Sequence, residues 1–507
     1  MAESFTREEI AILSPYVTNV EQPIYALKNL PEEVVAVLFA YYSRSRESLR
    51  WNLLKLIQER DIDLGAQMAS STLDEARLTE AKAKARQFHE KWVVGYGHAS
   101  VAEHAVVHLA IEDVSIIASK IIEDARLASY TEKSTRYVLF DEEKFSRAPR
   151  LVRSSYATLY EDTVRFLLRT YVTLVPKVVE CIKTRVPRRA TQSERAYETA
   201  CRAKAYDLLR YLLPASTLTN LGLTINARAL EHLLTKLLSH PLEEARDLAA
   251  AMKHEAEKVV PTLLKYADYN PYMAETDEAM RQLGRELCVG GDSAETAAVT
   301  LVRFPLDAEE QLAAAILYGY AQAPWAQVVE RIGKLSAEQR ERIIEAYLHR
   351  RGPHDQPLRA LEHLYYTFDI VLDYGAYRDI QRHRMATQTR QELSTRYGYS
   401  VPEDLVAYGL GEVFHEGMAR AAEAYRRIAV ECPLEAQYVL PLAYRIRVLF
   451  TWNLRELCHF IQLRSAKQGH SSYRRIAQQV YHEIERVHPA LARYIRVDLA
   501  DHQLGRL

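Results

Sequence analysis

The sequence predicts an α+β fold, rich in helix and built twice over in one chain of 507 residues. Three observations carry that expectation. Arg126-Leu-Ala-Ser-Tyr-Thr-Glu132-Lys-Ser134-Thr-Arg136-Tyr137 shares the pattern Glu-x-Ser-Thr-Arg-Tyr with Glu392-Leu-Ser394-Thr-Arg396-Tyr397. Arg210 and Asn226 stand sixteen positions apart, and so do Gln437 and Asn453. Between these landmarks, short β-branched runs alternate with apolar residues at helical spacing. The period is near 258 at Arg126/Arg384 and near 227 at Asn226/Asn453, with insertions around 138–200 accounting for the difference. A repeat this long means duplication of a whole domain rather than a solenoid.

Taken in order, residues 31–59 carry helical periodicity (Val34, Val37, Leu38, then Leu53, Leu54, Ile57), and 73–93 read as a charged, Ala-rich surface helix. Gly95-Tyr-Gly97-His98 breaks that pattern; Val106–Ile111 reads as a strand and Ile116–Ile122 as a helix. Residues 152–183 and 242–260 are helical, 185–189 a basic turn, and Tyr269-Asn-Pro-Tyr272 a boundary. The first copy thus spans 1–272 and the second 285–507. In the second, 297–304 and 364–370 read as strands. Helices are expected at 307–321, 336–349, 375–384, 411–431 and through 443–466.

Hydrophobic content of 48% and charged content of 26% are those of an ordinary globular protein. The formal net charge of -1 gives no long-range pull toward nucleic acid or an anionic membrane, so any polyanion site is a local pocket. No apolar run approaches the ~18–20 residues of a membrane helix, and the start lacks a secretory pattern. Five scattered cysteines form no CxxC pair, which fits a reducing cytoplasm. No HExxH, GxGxxG or P-loop is present.

The densest chemistry lies at 378–397. Arg382, His383 and Arg384 set two guanidiniums and an imidazole side by side, and Ser394 and Arg396 follow. Forked guanidinium donors suit phosphate oxygens, although a solvated basic face is the commoner meaning of an Arg-rich run. This triplet followed by Ser-x-Arg resembles the signature of the flavin-dependent thymidylate synthases. Glu362-His363 lies nineteen residues before Arg382, and Val439-Leu-Pro-Leu442, Thr451-Trp-Asn453-Leu-Arg455 and Leu463-Arg464 match that family's later motifs. Gly97-His98-Ala-Ser100-Val-Ala-Glu103-His104 is similar to its Gly-His-x-Thr/Ser-x-x-Glu-His.

The resemblance implies two fused copies of that family's fold, each a mixed sheet flanked by helices. It implies reductive methylation of dUMP to dTMP with FAD, NAD(P)H and methylenetetrahydrofolate. Flavin contacts would come from Arg382, His383, Arg384, His98, Ser100, Glu103, Asn226, Asn453 and Arg455. The nucleotide would be held by Arg126, Ser134, Arg136, Arg210 and Arg396, with Ser394 and Arg464 as the catalytic residues. Because the family builds its pockets from four subunits, a homodimer of the fused chain would form a pseudo-tetramer.

Each copy departs from the family pattern. The first has Asp124-Ala125-Arg126 where the triplet should be and Leu237 where the second has Arg464. The second has Gln437 where the first has Arg210, nine residues between triplet and Ser394, and Asp379 in place of a glutamine. Such a split fits pockets mixed from both copies; it equally fits a binding paralogue without turnover, or a different pyrimidine substrate. A purely helical interaction protein does not explain the repeated motifs. No cysteine sits as a nucleophile: Cys458, in Arg455-Glu-Leu-Cys458-His-Phe, reads as helix packing.

Overall fold

The computed structural model describes residues 5–43, 45–58, 100–288 and 297–501. The expected helix at 73–93, Gly97 and His98 lie outside them. Helices Arg7–Leu13, Glu32–Tyr42 and Leu49–Gln58 come first. The first is fixed by a capping box between Thr6 and Glu9. The rest of the first half runs β1 (Val106–Ser115), α1 (Ile116–Ile122), β2 (Ala128–Glu132), α2 (Ala157–Arg185), α3 (Glu194–Leu209), β3 (Leu218–Asn226) and α4 (Ala227–Leu238). Helices Glu243–Ala256 and Pro271–Leu287 close it.

The second half opens with β4 (Val299–Arg303) and helices Ala308–Tyr318, Trp325–Gly333 and Ala337–Leu348. There follow β5 (Tyr365–Asp373), α5 (Tyr374–Ile380), β6 (Thr387–Arg390), α6 (Gly411–Ile428), β7 (Arg445–Asn453), α7 (Leu454–Ser465) and α8 (Ser471–Val487).

Two expectations are corrected. The region 443–466 is helical only from Leu454, because Ile446, Val448, Phe450 and Trp452 alternate and are all buried, the period of a strand. The helix expected at 375–384 stops at Ile380, so the Arg382-His383-Arg384 triplet sits in the turn beyond it. At 269–272, Asn270 caps a helix whose first residue is Pro271, where a missing N–H costs nothing.

The chain forms two compact units. One comprises Met1–Glu112, Leu127–Glu132 and Asn220–Cys288; the other comprises Asp113–Arg126, Lys133–Thr219 and Val289–Leu507. The helical middle of the first half therefore shares a unit with the second half. The first unit carries a sheet ordered β1-β3-β2, with β2 antiparallel to β3 from Ala128↔Ile225 to Glu132↔Leu221. Leu13, Leu38, Leu53 and Leu54 are wholly buried in its amino-terminal core.

The second unit carries the antiparallel sheet β4-β5-β7-β6, with β5 and β7 paired from Tyr365↔Asn453 to Asp373↔Arg445. Phe450, Trp452 and Phe460 stack beneath it at centroid spacings of 4.6 and 4.9 Å. Each such side chain adds about 1.5–3 kcal/mol on burial.

The duplication is visible in this unit as repeated hydrogen bonds. Ile116 and Ile117 donate to Thr217 and Ala215 at the start of α1; Tyr374 and Gly375 donate to Tyr444 and Leu442 at the start of α5. The two Leu-Pro segments pair with each other. Ala215 donates to Leu440 at 2.8 Å and Leu442 donates to Leu213 at 2.9 Å, with Pro214 opposite Pro441. Gly417 of α6 lies close to Leu167 of α2, where an added Cβ would stand 3.3 Å from the leucine. The insertion expected at 138–200 falls in α2 and α3. Each half has a short 3-10 turn before its Leu-Pro segment, Arg210–Leu212 and Glu435–Val439.

Candidate functional site

The site grows from the start of α5. Asp373 Oδ1 accepts the Ala376 N–H at 2.7 Å, the side-chain cap that turns β5 into helix. The Gln381 amide then donates to the Lys120 carbonyl at 2.8 Å, fixing the turn that displays the triplet. Arg384 Nη1 donates to the Arg126 carbonyl and Arg126 Nη2 to Thr387 Oγ1, both at 3.3 Å. An arginine of the first half thus lies beside the triplet of the second.

Asp379 is the hub. Its carboxylate accepts from Arg210 Nη1 at 3.2 Å, and its carbonyl accepts from Arg464 Nη2 at 2.5 Å. Arg210, only 2% exposed, crosses from the first half to make this pair. Gly375 permits the approach: a Cβ there would stand 3.2 Å from Asp373 Oδ1 and 3.5 Å from Arg210 Nε. Burial opposes the Asp379 charge, yet Arg210, Arg382, Arg464 and Arg136 hold its carboxyl well below the usual carboxylate range. Burial opposes the Arg210 charge too, and Asp379 and Asp207 more than offset it. Arg210 Nε and Nη2 are buried donors with no hydrogen-bond partner among the described residues. Such donors are rare in folded proteins.

His383 joins this hub to α7. Its Nδ1 lies 2.9 Å from Glu456 Oε1 and its Nε2 lies 2.9 Å from Arg464 Nε. A guanidinium Nε–H can only donate, so His383 Nε2 accepts and Nδ1 carries the hydrogen given to Glu456. The ring is neutral; burial pushes its pKa down, with Glu456 opposing.

On the other side of Arg136 lies a cavity of about 570 Å³, bordered by Arg136, Asp207, Tyr211, Asp373, His470 and Ser472. Asp207 comes from α3 and is gripped by Arg136, through Nε and, at 3.0 Å, Nη2. Arg136 Nη1 also donates to Tyr473 Oη at 3.4 Å. His470 caps α8 by accepting the Ser472 N–H on Nδ1 at 3.1 Å, and its Nε2 donates to the Asp207 carbonyl at 3.3 Å. Burial, helped by the nearby Arg210 charge, drops the His470 pKa to about 3, so this ring is neutral as well. Asp373 accepts from Tyr211 Oη at 3.3 Å and from Ser472 Oγ, and burial raises its carboxyl.

The remaining predicted residues form a frame that both halves share. Ser134 Oγ accepts the Arg136 N–H at 3.2 Å, and Ser394 Oγ accepts the Arg396 N–H at 3.3 Å. Asn226 caps α4 through Ala229 N–H at 2.9 Å, and Asn453 caps α7 through Glu456 N–H at 2.8 Å. Arg228 pairs with Glu103 at 2.5 Å, and Arg455 with Glu362 at 2.9 Å. Ser100, Glu103 and Asn226 belong to the first unit, whereas Arg126, Ser134, Arg136, Arg210, Arg382, His383, Arg384, Ser394, Arg396, Asn453, Arg455 and Arg464 share the second.

The family described as thymidylate synthase complementing protein matches this chain twice, at residues 52–262 and again at 300–490. The chain belongs to that family, as a tandem duplication. It is similar to the UPF0159 protein of Chlamydia muridarum, 38% identical over 99% of this chain and 97% of the relative. It is also similar to the flavin-dependent thymidylate synthase of Pyrococcus furiosus, 26% identical over 36% of this chain and 68% of that one. Among solved structures it matches the flavin-dependent thymidylate synthase ThyX from Helicobacter pylori complexed with FAD and dUMP. That match has 19% identity and a TM-score of 0.30, covering 40% of this chain and 100% of the other.

Four residues of this thymidylate synthase complementing family member escaped sequence reasoning: Asp207, Glu456, His470 and Tyr473. None lies in a matched motif, and their partners are 71 to 337 residues away. The one available signal was Gly469 before His470; a Cβ there would clash with Tyr473 at 2.7 Å. All five cysteines are free: Cys201, Cys432 and Cys458 are buried, Cys181 is half-buried and Cys288 is exposed. Burial pushes the Cys458 thiol up to about 12, far from a thiolate nucleophile. Among the described residues no cluster of His, Cys, Asp and Glu could hold a metal, and no helix is long and apolar enough to cross a membrane.

Proposed function

We propose that this chain methylates dUMP reductively to dTMP, using FAD, NAD(P)H and methylenetetrahydrofolate. One observation carries the reading: guanidiniums of both halves, Arg136 and Arg210 with Arg382 and Arg464, surround Asp379 inside one compact unit. Arg136, Arg210, Arg382 and Arg464 present forked donors there, the geometry that suits a phosphate monoester. The buried, unpartnered Nε and Nη2 of Arg210 fit the same class of ligand. Exposed Arg382, with Arg384, offers forked donors that fit the FAD diphosphate.

When bound, FAD supplies the redox and one-carbon chemistry that side chains lack. The chain's own residues bind and orient. In this reading Arg136 and Arg210 hold the nucleotide phosphate, and Arg464 and Ser394 lie against the uracil. Arg464 is already steadied by His383 and the Asp379 carbonyl. Two fused chains then stand for the family's four subunits as a homodimer.

The test is the visible spectrum of the purified protein followed by tritium release from 5-labelled dUMP. Flavin absorption and release dependent on FAD, NAD(P)H and the folate are expected. A protein that binds neither FAD nor dUMP overturns the reading. The Arg210–Asp379 pair favours one alternative, a flavin- and nucleotide-binding relative without this turnover, because the chain's own carboxylate engages the arginine. Binding of both ligands with no tritium release selects that alternative, or a different pyrimidine substrate.

A further inference from the structure

We propose that Glu456 is a positioning residue which, through His383, aims Arg464 at the nucleotide; the proposal rests on the dUMP reading above. Glu456 is itself held in place. It is the third residue of α7, and its N–H is taken by the Asn453 cap at 2.8 Å. Its carboxylate meets His383 Nδ1, and the opposite ring nitrogen meets Arg464 Nε, each at 2.9 Å. Glu456 and Arg464 sit at opposite ends of α7, so the helix, the carboxylate and the imidazole close a rigid frame around the guanidinium.

The ring is buried and flanked by two others. Phe460 stands edge-on at 5.1 Å and His459 lies at 5.5 Å. Without an acceptor at Nδ1, only the Arg464 Nε–H would select the tautomer that leaves Nε2 bare, and the Nδ1 hydrogen would be left without a partner. The other tautomer sets an N–H against the Arg464 N–H, donor facing donor. A second, independent observation comes from the first half. Its residues corresponding to His383, Glu456 and Arg464 are Ala125, Ala229 and Leu237, all three replaced together. The Asn226 cap and the Glu103–Arg228 pair nevertheless remain there. Glu456, His383 and Arg464 are thus present or absent as one unit, separate from the frame.

The experiment titrates dUMP and FAD into single and double variants. Glu456→Leu should weaken dUMP about tenfold, the worth of one charge-assisted contact, and leave FAD within about twofold. Glu456→Gln keeps an oxygen for the Nδ1 hydrogen and should stay within about threefold of the parent. In an Arg464→Ala background Glu456→Leu should add nothing further, because the two act through one interaction. Equal losses in both backgrounds overturn the proposal. Nitrogen-15 shifts of His383 in the parent should show Nδ1 protonated and Nε2 bare; a ring protonated at Nε2 overturns it even if Glu456→Leu fails to fold. If Arg464→Ala binds dUMP like the parent, the nucleotide reading falls, while the nitrogen shifts still decide the tautomer.

Discussion

The two halves keep the same frame and differ in their charges. Asn226 and Asn453 cap corresponding helices, Glu103–Arg228 and Glu362–Arg455 are corresponding ion pairs, and Ser134 and Ser394 make the same turn. Against that constancy, Asp379, His383, Glu456 and Arg464 stand opposite Ile121, Ala125, Ala229 and Leu237. In the reverse direction, Arg210 stands opposite Gln437, and Asp207 at the end of α3 stands opposite Leu434. The missing charges complement each other. What the first half retains and what the second retains meet at Asp379, within the second compact unit.

The largest expected effect tests whether that meeting point is dry. Asp379→Asn strands the Arg210 guanidinium and should cost about 3–5 kcal/mol in urea unfolding. The counterpart Ile121→Val should cost only about 0.5–1.5 kcal/mol. A loss below about 1 kcal/mol for Asp379→Asn would mean that water reaches Arg210. The sign with pH follows. The Asp379 carboxyl is depressed, so its stabilisation is full above the unfolded value near ~3.9 and is lost as pH falls through the lower folded value.

Next come the arginines. Arg210→Ala should weaken dUMP about ten- to a hundredfold, on the order of 1.5–3 kcal/mol, and leave FAD largely bound; Arg384→Ala should do the reverse. Calorimetric titration of each ligand checks both. At the position corresponding to Arg464, Leu237→Ala should cost about 2–5 kcal/mol of stability and leave dUMP affinity alone. If Arg210→Ala binds dUMP like the parent, the first half is not a nucleotide site.

A graded effect belongs to His470. Its folded pKa is depressed to about 3, so the unfolded chain takes up the proton first as pH falls below ~6.5. Stability should therefore fall between ~6.5 and the folded value, by at most about 1.4 kcal/mol per pH unit. His470→Gln should flatten that slope in denaturation curves measured across pH. The smallest effect is expected from replacing all five cysteines with Ser or Ala, which should leave turnover within about twofold if the protein stays folded. Complete loss in a folded cysteine-free variant would point to a different mechanism.

The duplication and most helices were legible because apolar spacing and the doubled Glu-x-Ser-Thr-Arg-Tyr are local signals. β7 was not read as a strand, although Ile446, Val448, Phe450 and Trp452 alternate, because the neighbouring Asn453-Leu-Arg455 motif drew the whole stretch into one helix. The motifs named Arg210, the triplet and Arg464, but not what they touch. Whether Arg210 meets solvent or Asp379 depends on a contact spanning 169 positions, which no window of sequence contains. Glu456 was hidden for a plainer reason: a glutamate in the first turn of a helix already has an ordinary explanation there.

The pairing of Leu213-Pro214-Ala215 with Leu440-Pro441-Leu442 has a consequence for how such a chain can change. In a dimer of identical subunits every substitution at a twofold seam appears twice, and both copies of a pocket gain or lose it together. Covalent linkage breaks that rule. The seam stays assembled by effective concentration rather than by subunit affinity, so each side can be altered alone. A carboxylate such as Asp379 can then enter one side, against an arginine kept only on the other. An unlinked homodimer would have had to accept both residues at both places.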